Sequence, residues 1–218
     1  MVEKILDVFS TKNNYDIALM TTFNFDISFF ESAILNRLYE NDVKKVSLFV
    51  DSNELNKALS QTEQTSIGKK YVVNPIEMNE AFHPKIILLL GQVSAKLVVA
   101  SANITVSGYL KNNDIFNVFD YDDKHPQNLN VINKAIDFFE QLNKRSFNQD
   151  AALFDEIKDF VYYNRTCDNE ELYLLHNLNN SILSQVSEKV HDVISIDVAV
   201  PYYDNYAVAL ESLHLSNT

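Results

Sequence analysis

Only three glycines, Gly68, Gly91 and Gly108, occur in the 218 residues. Scattered as they are, they cannot form a glycine-rich loop that cradles phosphates, which excludes the P-loop and dinucleotide-binding fingerprints. Cysteine is nearly absent too. The lone Cys167 has no partner for an internal disulfide, so a reducing cytoplasm is the expected compartment. No stretch approaches the roughly 18 uninterrupted apolar residues of a membrane span. The opening MVEKILDVFSTKNN lacks the basic start and apolar core of a secretory signal. Basic side chains are also scarce, 18 against 30 acidic ones, for a net charge of −12. Proteins that grip a duplex by its phosphates normally present a basic face, so affinity for nucleic acid would need a small local cleft or another domain. What is present is ordinary for a globular chain: 46% hydrophobic and 22% charged residues, enough for one domain with an appendage.

Along the chain, YDIALMTTFNF (15–25) reads as a buried strand running into a loop. Asp26 is placed to cap a following helix with apolar residues at Ile27, Phe30, Ile34, Leu35 and Leu38. KKVSLFVD is a second strand, NELNKALSQ a short helix capped by Ser52 or Asn53, 62–70 a loop, and YVVNPI a strand ended by Pro75. This order predicts an α/β sheet with parallel members. KIILLLG and AKLVVAS, joined by GQVS, then predict an antiparallel hairpin, and DIFNVFDYD a further strand from Asp114. The sheet is therefore expected to be mixed, with an antiparallel portion at its centre. Helical spacing returns at Leu129, Ile132, Ile136, Phe139 and Leu142, and 150–163 reads as another helix.

Two short patterns carry chemistry. His83 and Lys85 open a strand, where residues two apart share a face, and Ser101 and Asn103 are spaced alike on the returning strand. An imidazole, an ammonium, a hydroxyl and an amide on one side of a sheet suit a phosphate diester. Lys85 supplies charge, Ser101 and Asn103 supply hydrogen bonds, and His83 is a nucleophile or acid that needs no metal. No metal-ligand set and no cofactor motif accompanies them. The Asp120–Asp123 cluster is read as a solvated loop rather than a metal site, Asn112 as a turn residue, and Thr22, Phe23, Tyr202 and Tyr203 as packing residues that could also line a cleft.

FHPKIILLL followed by VVASANITVSGYLKNND closely resembles the His-x-Lys signature of the phospholipase D superfamily and its downstream Ser-x-Asn element, in the bacterial nuclease-like branch. The resemblance covers about 16–120. It implies that His83, Lys85, Ser101 and Asn103 take the family's motif positions. It also implies that Asp114, standing where related nucleases place a Glu, orients a histidine through its second ring nitrogen. The family's Asp five residues after the lysine is replaced by Leu90, a departure that leans toward nucleases and puts the competence of this copy in doubt. Family chemistry pairs two such motifs, one histidine attacking phosphorus and the other protonating the leaving oxygen.

This chain carries one motif copy. His125, His176, His191 and His214 have neither the lysine nor the Ser-x-Asn echo. The expected organisation is a phospholipase-D-like half over 1–145, a helical connector over 146–192, and the start of a second repeat over 193–218. There ALESLHL echoes the FFESAIL found about 180 residues earlier. The second half-site is then expected from a missing C-terminal region, with a homodimer as the competing source. The leading expectation is a metal-independent phosphodiesterase acting on nucleic acid, DNA first, with bacterial defence as the context implied by the resemblance. The alternatives are a non-catalytic module that binds phosphodiesters or assembles a partner, and a lipid or small-diester phosphodiesterase. No membrane partner is expected.

Overall fold

The computed structural model describes residues 4–10, 14–79, 81–160, 162–163, 165 and 172–189. The proposed second repeat, with Tyr202 and Tyr203, lies outside them, as does Cys167. Compact packing divides the chain into a unit of 1–173 and a unit of 174–218. In the second, the described structure is one short helix, Ile182–Ser187, capped by Ser181. Everything below concerns the first unit, which also contains the start of the segment read as a connector.

Six strands form one sheet: β1 (Ile17–Thr22), β2 (Lys45–Asp51), β3 (Val72–Ile76), β4 (Ile86–Leu90), β5 (Ala95–Ala100) and β6 (Phe116–Tyr121), in the order β3-β2-β1-β4-β5-β6. β1, β2 and β3 are parallel, and β4, β5 and β6 continue antiparallel from β1. The mixed sheet is as expected, but its antiparallel part runs from the centre to one edge. Pro75 lies within β3, paired with Val50, and does not end it. An edge strand tolerates proline because the missing N–H can face outward.

Each face is covered by the helix its periodicity called for. On one face sits α1, residues 27–40, whose central turn (Phe30–Leu35) is π-helical. Bonding five residues apart lets Phe30 and Leu35 share a face. All five apolar positions of its stripe are at most 2% exposed and pack with Met20, Leu48 and Val98. Burying each such side chain is worth about 1.5–3 kcal/mol, against about 1 kcal/mol for a cap. The stripe therefore holds the helix, and Asp26, accepting from the Phe29 N–H at 2.9 Å, fixes where it starts. α2 (Ser52–Ser60) adds Leu55 and Ala58 to the same core.

On the other face lie α4 (Leu129–Arg145) and α5 (Ala151–Lys158), which follow a short α3 (Val106–Leu110). Phe139 of α4 meets Phe49 of β2, ring centroids 5.7 Å apart. α5 is shorter than the helix expected over 150–163.

The β4–β5 turn depends on one glycine. A Cβ on Gly91 would stand 2.0 Å from the Asn14 carbonyl oxygen. That oxygen is backbone, so Gly91→Ala is expected to lower stability by about 1–3 kcal/mol, as overpacking does. An unchanged midpoint of urea unfolding would contradict this.

Candidate active site

The functional candidates gather where β1 ends and β4 begins. β1 and β4 are in register, Met20 opposite Ile87. β4 and β5 are too, and the Ala100 N–H donates to the Lys85 carbonyl at 3.0 Å. Extending the β4–β5 ladder by one residue and the β1–β4 ladder by two sets Lys85 between Thr22 and Ala100, three side chains on one face.

Three tethers fix the segment before β4. The Phe82 N–H donates to Asp51 at 3.0 Å, and the Ile86 N–H donates to Thr21 at 2.9 Å. Pro84 confines its own φ and keeps His83 extended. Asp51, 5% exposed, also accepts from Asn53 and Glu54 and so caps α2. The cap is thus Asp51 and neither Ser52 nor Asn53. One carboxylate serves the end of β2, the start of α2 and the histidine-bearing segment together. The sequence hint was an acid between a strand and a helix, which the strand reading absorbed.

Lys85 and His83 converge. Lys85 Nζ lies 2.9 Å from Nδ1 and 3.3 Å from Nε2 of His83, and donates to the His83 carbonyl at 2.9 Å. Lys85 is 8% exposed. None of the ion pairs among the described residues includes it. Burial pushes the Lys85 ammonium down to about 8, and the charge of Asp114 opposes the shift only in part. A buried cation with no ion-pair partner is costly unless it serves an anion. His83 is likewise held below its ordinary range, first by burial and then by the Lys85 charge, with Asp51 pulling the other way. The neutral ring keeps one nitrogen unprotonated. The Phe23 ring packs against it, centroids 4.8 Å apart, so this aromatic does face the site.

Asn103 reaches the same region, but not as a member of β5. The strand stops at Ala100, and Ser101 and Asn103 lie in the bend beyond it. Continued alternation would have sent both to the face opposite Lys85, and the bend is what redirects Asn103. Its side-chain carbonyl accepts from the Asn24 N–H at 3.2 Å and from Thr22 Oγ1 at 3.4 Å. Thr22, fully buried, also accepts from the Ile104 N–H and donates to the Asn24 carbonyl. The Asn103 amide nitrogen has no partner among the described residues and is left as a donor.

The rest of the motif supports Asn103. Thr105 caps α3 by accepting from the Gly108 N–H at 3.1 Å, and a Cβ on Gly108 would stand 2.4 Å from the Asn103 carbonyl oxygen.

Ser101 is turned elsewhere. Its hydroxyl donates to Asp114 at 2.5 Å and accepts from the Ile115 N–H at 3.0 Å. The second Asp114 oxygen is buried and has no hydrogen bond among the described residues. Leu90 is fully buried at the far end of β4. Four residues on from Ile86, that place is over roughly 10 Å along the strand from Lys85 and His83. Asn112 is a turn residue, its N–H bonded to the Ser107 carbonyl. Asp120 pairs with Lys96 and Asp122 with His125. Among the described residues no group of three or more His, Cys, Asp or Glu could hold a metal, and no helix is long and apolar enough to cross a membrane.

The sequence model of tyrosyl-DNA phosphodiesterases matches residues 3–116, just over half of the chain and all the residues gathered here. The chain belongs to the tyrosyl-DNA phosphodiesterase family. That family lies within the phospholipase D superfamily. Among solved structures it is similar to NucT from Helicobacter pylori, at 15% identity and a TM-score of 0.43, over 65% of this chain and 86% of that one. Nuc from Salmonella typhimurium matches at 16% identity and 0.39, over 66% and 84%. A yeast tyrosyl-DNA phosphodiesterase mutant matches at 12% identity and 0.45, over 71% of this chain but 36% of the yeast enzyme. No curated protein sequence matches.

Proposed function

We propose that the chain supplies one half-site of a metal-independent phosphodiesterase that acts on nucleic acid through a phosphohistidine. The observation that carries the reading is the buried, unpaired Lys85 ammonium set against the His83 ring. A phosphodiester anion bound there would supply the counter-charge Lys85 lacks, and the free Asn103 amide would hold a nonbridging oxygen. His83 then attacks phosphorus and the leaving oxygen departs with a proton. That proton comes from a second histidine, on a twin subunit or on another part of the protein, because one imidazole cannot attack and protonate in the same step. Phosphohistidine hydrolysis regenerates the ring.

The test is turnover of bis(p-nitrophenyl) phosphate and of a labelled oligonucleotide, with sedimentation to fix the oligomeric state. Activity is expected to survive EDTA, since the histidine is itself the nucleophile. Complete loss, restored by magnesium, would overturn the mechanism.

The pH profile gives a second check, since kcat/KM reports groups of the free enzyme. Lys85 has its pKa lowered to about 8, so the cation is present below that pH and lost above it. kcat/KM should therefore fall as pH rises through about 8, about two units earlier than an ordinary lysine would dictate. The acidic limb belongs to His83 and should lie below the usual histidine range. A basic limb above pH 10 would exclude Lys85 as the phosphate-binding cation.

A further inference from the structure

Asp51 ends β2 as a carboxylate that is 5% exposed and has no ion-pair partner among the described residues. Burying an unpaired anion is costly, and a helix start does not require one, since serine or asparagine caps as well. What sets this residue apart is that donors meet it from two directions. Oδ1 accepts from the Asn53 and Glu54 N–H groups at 3.0 and 3.2 Å, at the start of α2, and Oδ2 accepts from the Phe82 N–H at 3.0 Å. A carboxylate offers two acceptor oxygens on so short a side chain, whereas an asparagine amide offers one acceptor and one donor.

Phe82 is itself 1% exposed, so its side chain and its amide together anchor the residue directly before His83. The histidine has few restraints of its own. It is exposed, and its ring meets Lys85 Nζ and the Phe23 ring. The hydrogen bonds of Asp51 go to amides and none goes to the ring. Lys85 is held separately, by the Ala100 N–H on its carbonyl and by Thr21 on the next amide.

We propose that Asp51 is a positioning residue for the nucleophile: through the Phe82 amide it sets where the His83 ring stands against Lys85. The proposal rests on the reading of His83 as the attacking group and adds to it a residue that touches no substrate. The charge of Asp51 reaches the ring too. Burial and then the Lys85 charge hold His83 below its ordinary range, and Asp51 opposes them. These two are the charges that bear on the ring, while Asp114 bears on Lys85. Removing the Asp51 charge therefore lowers His83 further.

The test follows the His83 ring of the full chain by NMR across pH, its signal assigned by loss in His83→Ala, beside turnover of bis(p-nitrophenyl) phosphate. Asp51→Asn keeps one oxygen for the two α2 amides and turns an N–H toward the Phe82 N–H, so the cap survives and the tether does not. Asp51→Ser also caps α2 and is too short to reach Phe82. In both variants His83 should titrate at lower pH than in the native chain. kcat should fall about 10–100-fold, as for a displaced reacting group, and KM should stay within about twofold, since Lys85 keeps its own tethers. Thr21→Val, which removes a tether on the Lys85 side but no charge, should leave the titration in place. In the native chain the Phe82 amide should exchange slowly with solvent although it belongs to no strand, a readout that needs no variant to fold. Rapid exchange there would overturn the proposal. So would a folded Asp51→Asn chain with native His83 titration or native kcat, or a Thr21→Val chain whose titration moves as far. Failure of the phosphodiesterase reading shows differently, as a native chain that cleaves no diester, and the titration and the amide exchange still decide whether Asp51 holds the ring.

Discussion

Replacing His83 by alanine should lower phosphodiester turnover by about 10³-fold or more, because it removes the nucleophile and not merely a contact. The fold should be indifferent. His83 is exposed, and the tethers around it run through the Phe82 and Ile86 amides, not through the ring. Exposed substitutions of this kind usually change stability by less than about 0.5 kcal/mol.

Lys85→Met offers a control with a different signature. The lysine occupies a buried place without an ion-pair partner, so a methionine of similar length removes a desolvated charge. Its unfolding midpoint should be equal or higher while turnover collapses. Measured together, kcat on bis(p-nitrophenyl) phosphate and the urea midpoint separate function from stability at both positions. Substantial turnover by the alanine variant, in purified and folded protein, would remove His83 from the mechanism.

Gly108→Ala should cost about 10²-fold in kcat/KM, although Gly108 carries no chemistry. Its added Cβ would meet the Asn103 carbonyl at 2.4 Å and the Asn103 nitrogen at 3.0 Å. Both are backbone atoms in a bend already fixed by Thr22 and Thr105, so the collision can be relieved only by moving Asn103 or opening α3. A displacement of about 1 Å at a positioning group costs about that much in rate. The variant should resemble Asn103→Ala in kcat/KM and keep the native response of His83 to pH, since Asn103 shares no hydrogen bond with the ring. A variant as active as the native chain would show that the bend can absorb a methyl group, and that Asn103 is not held as tightly as its hydrogen bonds imply.

Much of this was legible without coordinates, and the reason is periodicity. The apolar stripes at Ile27 to Leu38 and Leu129 to Leu142 each named the buried face of a helix. A helix of that spacing cannot hide its stripe except against a sheet or another helix. The hairpin over Gly91 was equally plain, and so was the pairing of His83 with Lys85, since two residues apart along an extended chain share a side. Local rules of this kind hold whatever the rest of the fold does.

What the sequence left open depended on where elements stop and on what lies across space. The strand that delivers Asn103 ends three residues before it, and only the bend, pinned by Thr22 and Asn24 from β1 and its loop, brings the amide to the lysine's side. Asp51 read as the last residue of a strand, while the fold makes it the common anchor of a helix start and of the Phe82 amide 31 residues away. The depth at which Lys85 sits, and hence its lowered pKa, is likewise a tertiary property. Composition spoke of an acidic surface and could not reveal one buried cation. A side chain's identity and spacing are written in the chain, but its solvation and its distant partners are set only when the chain has closed around it.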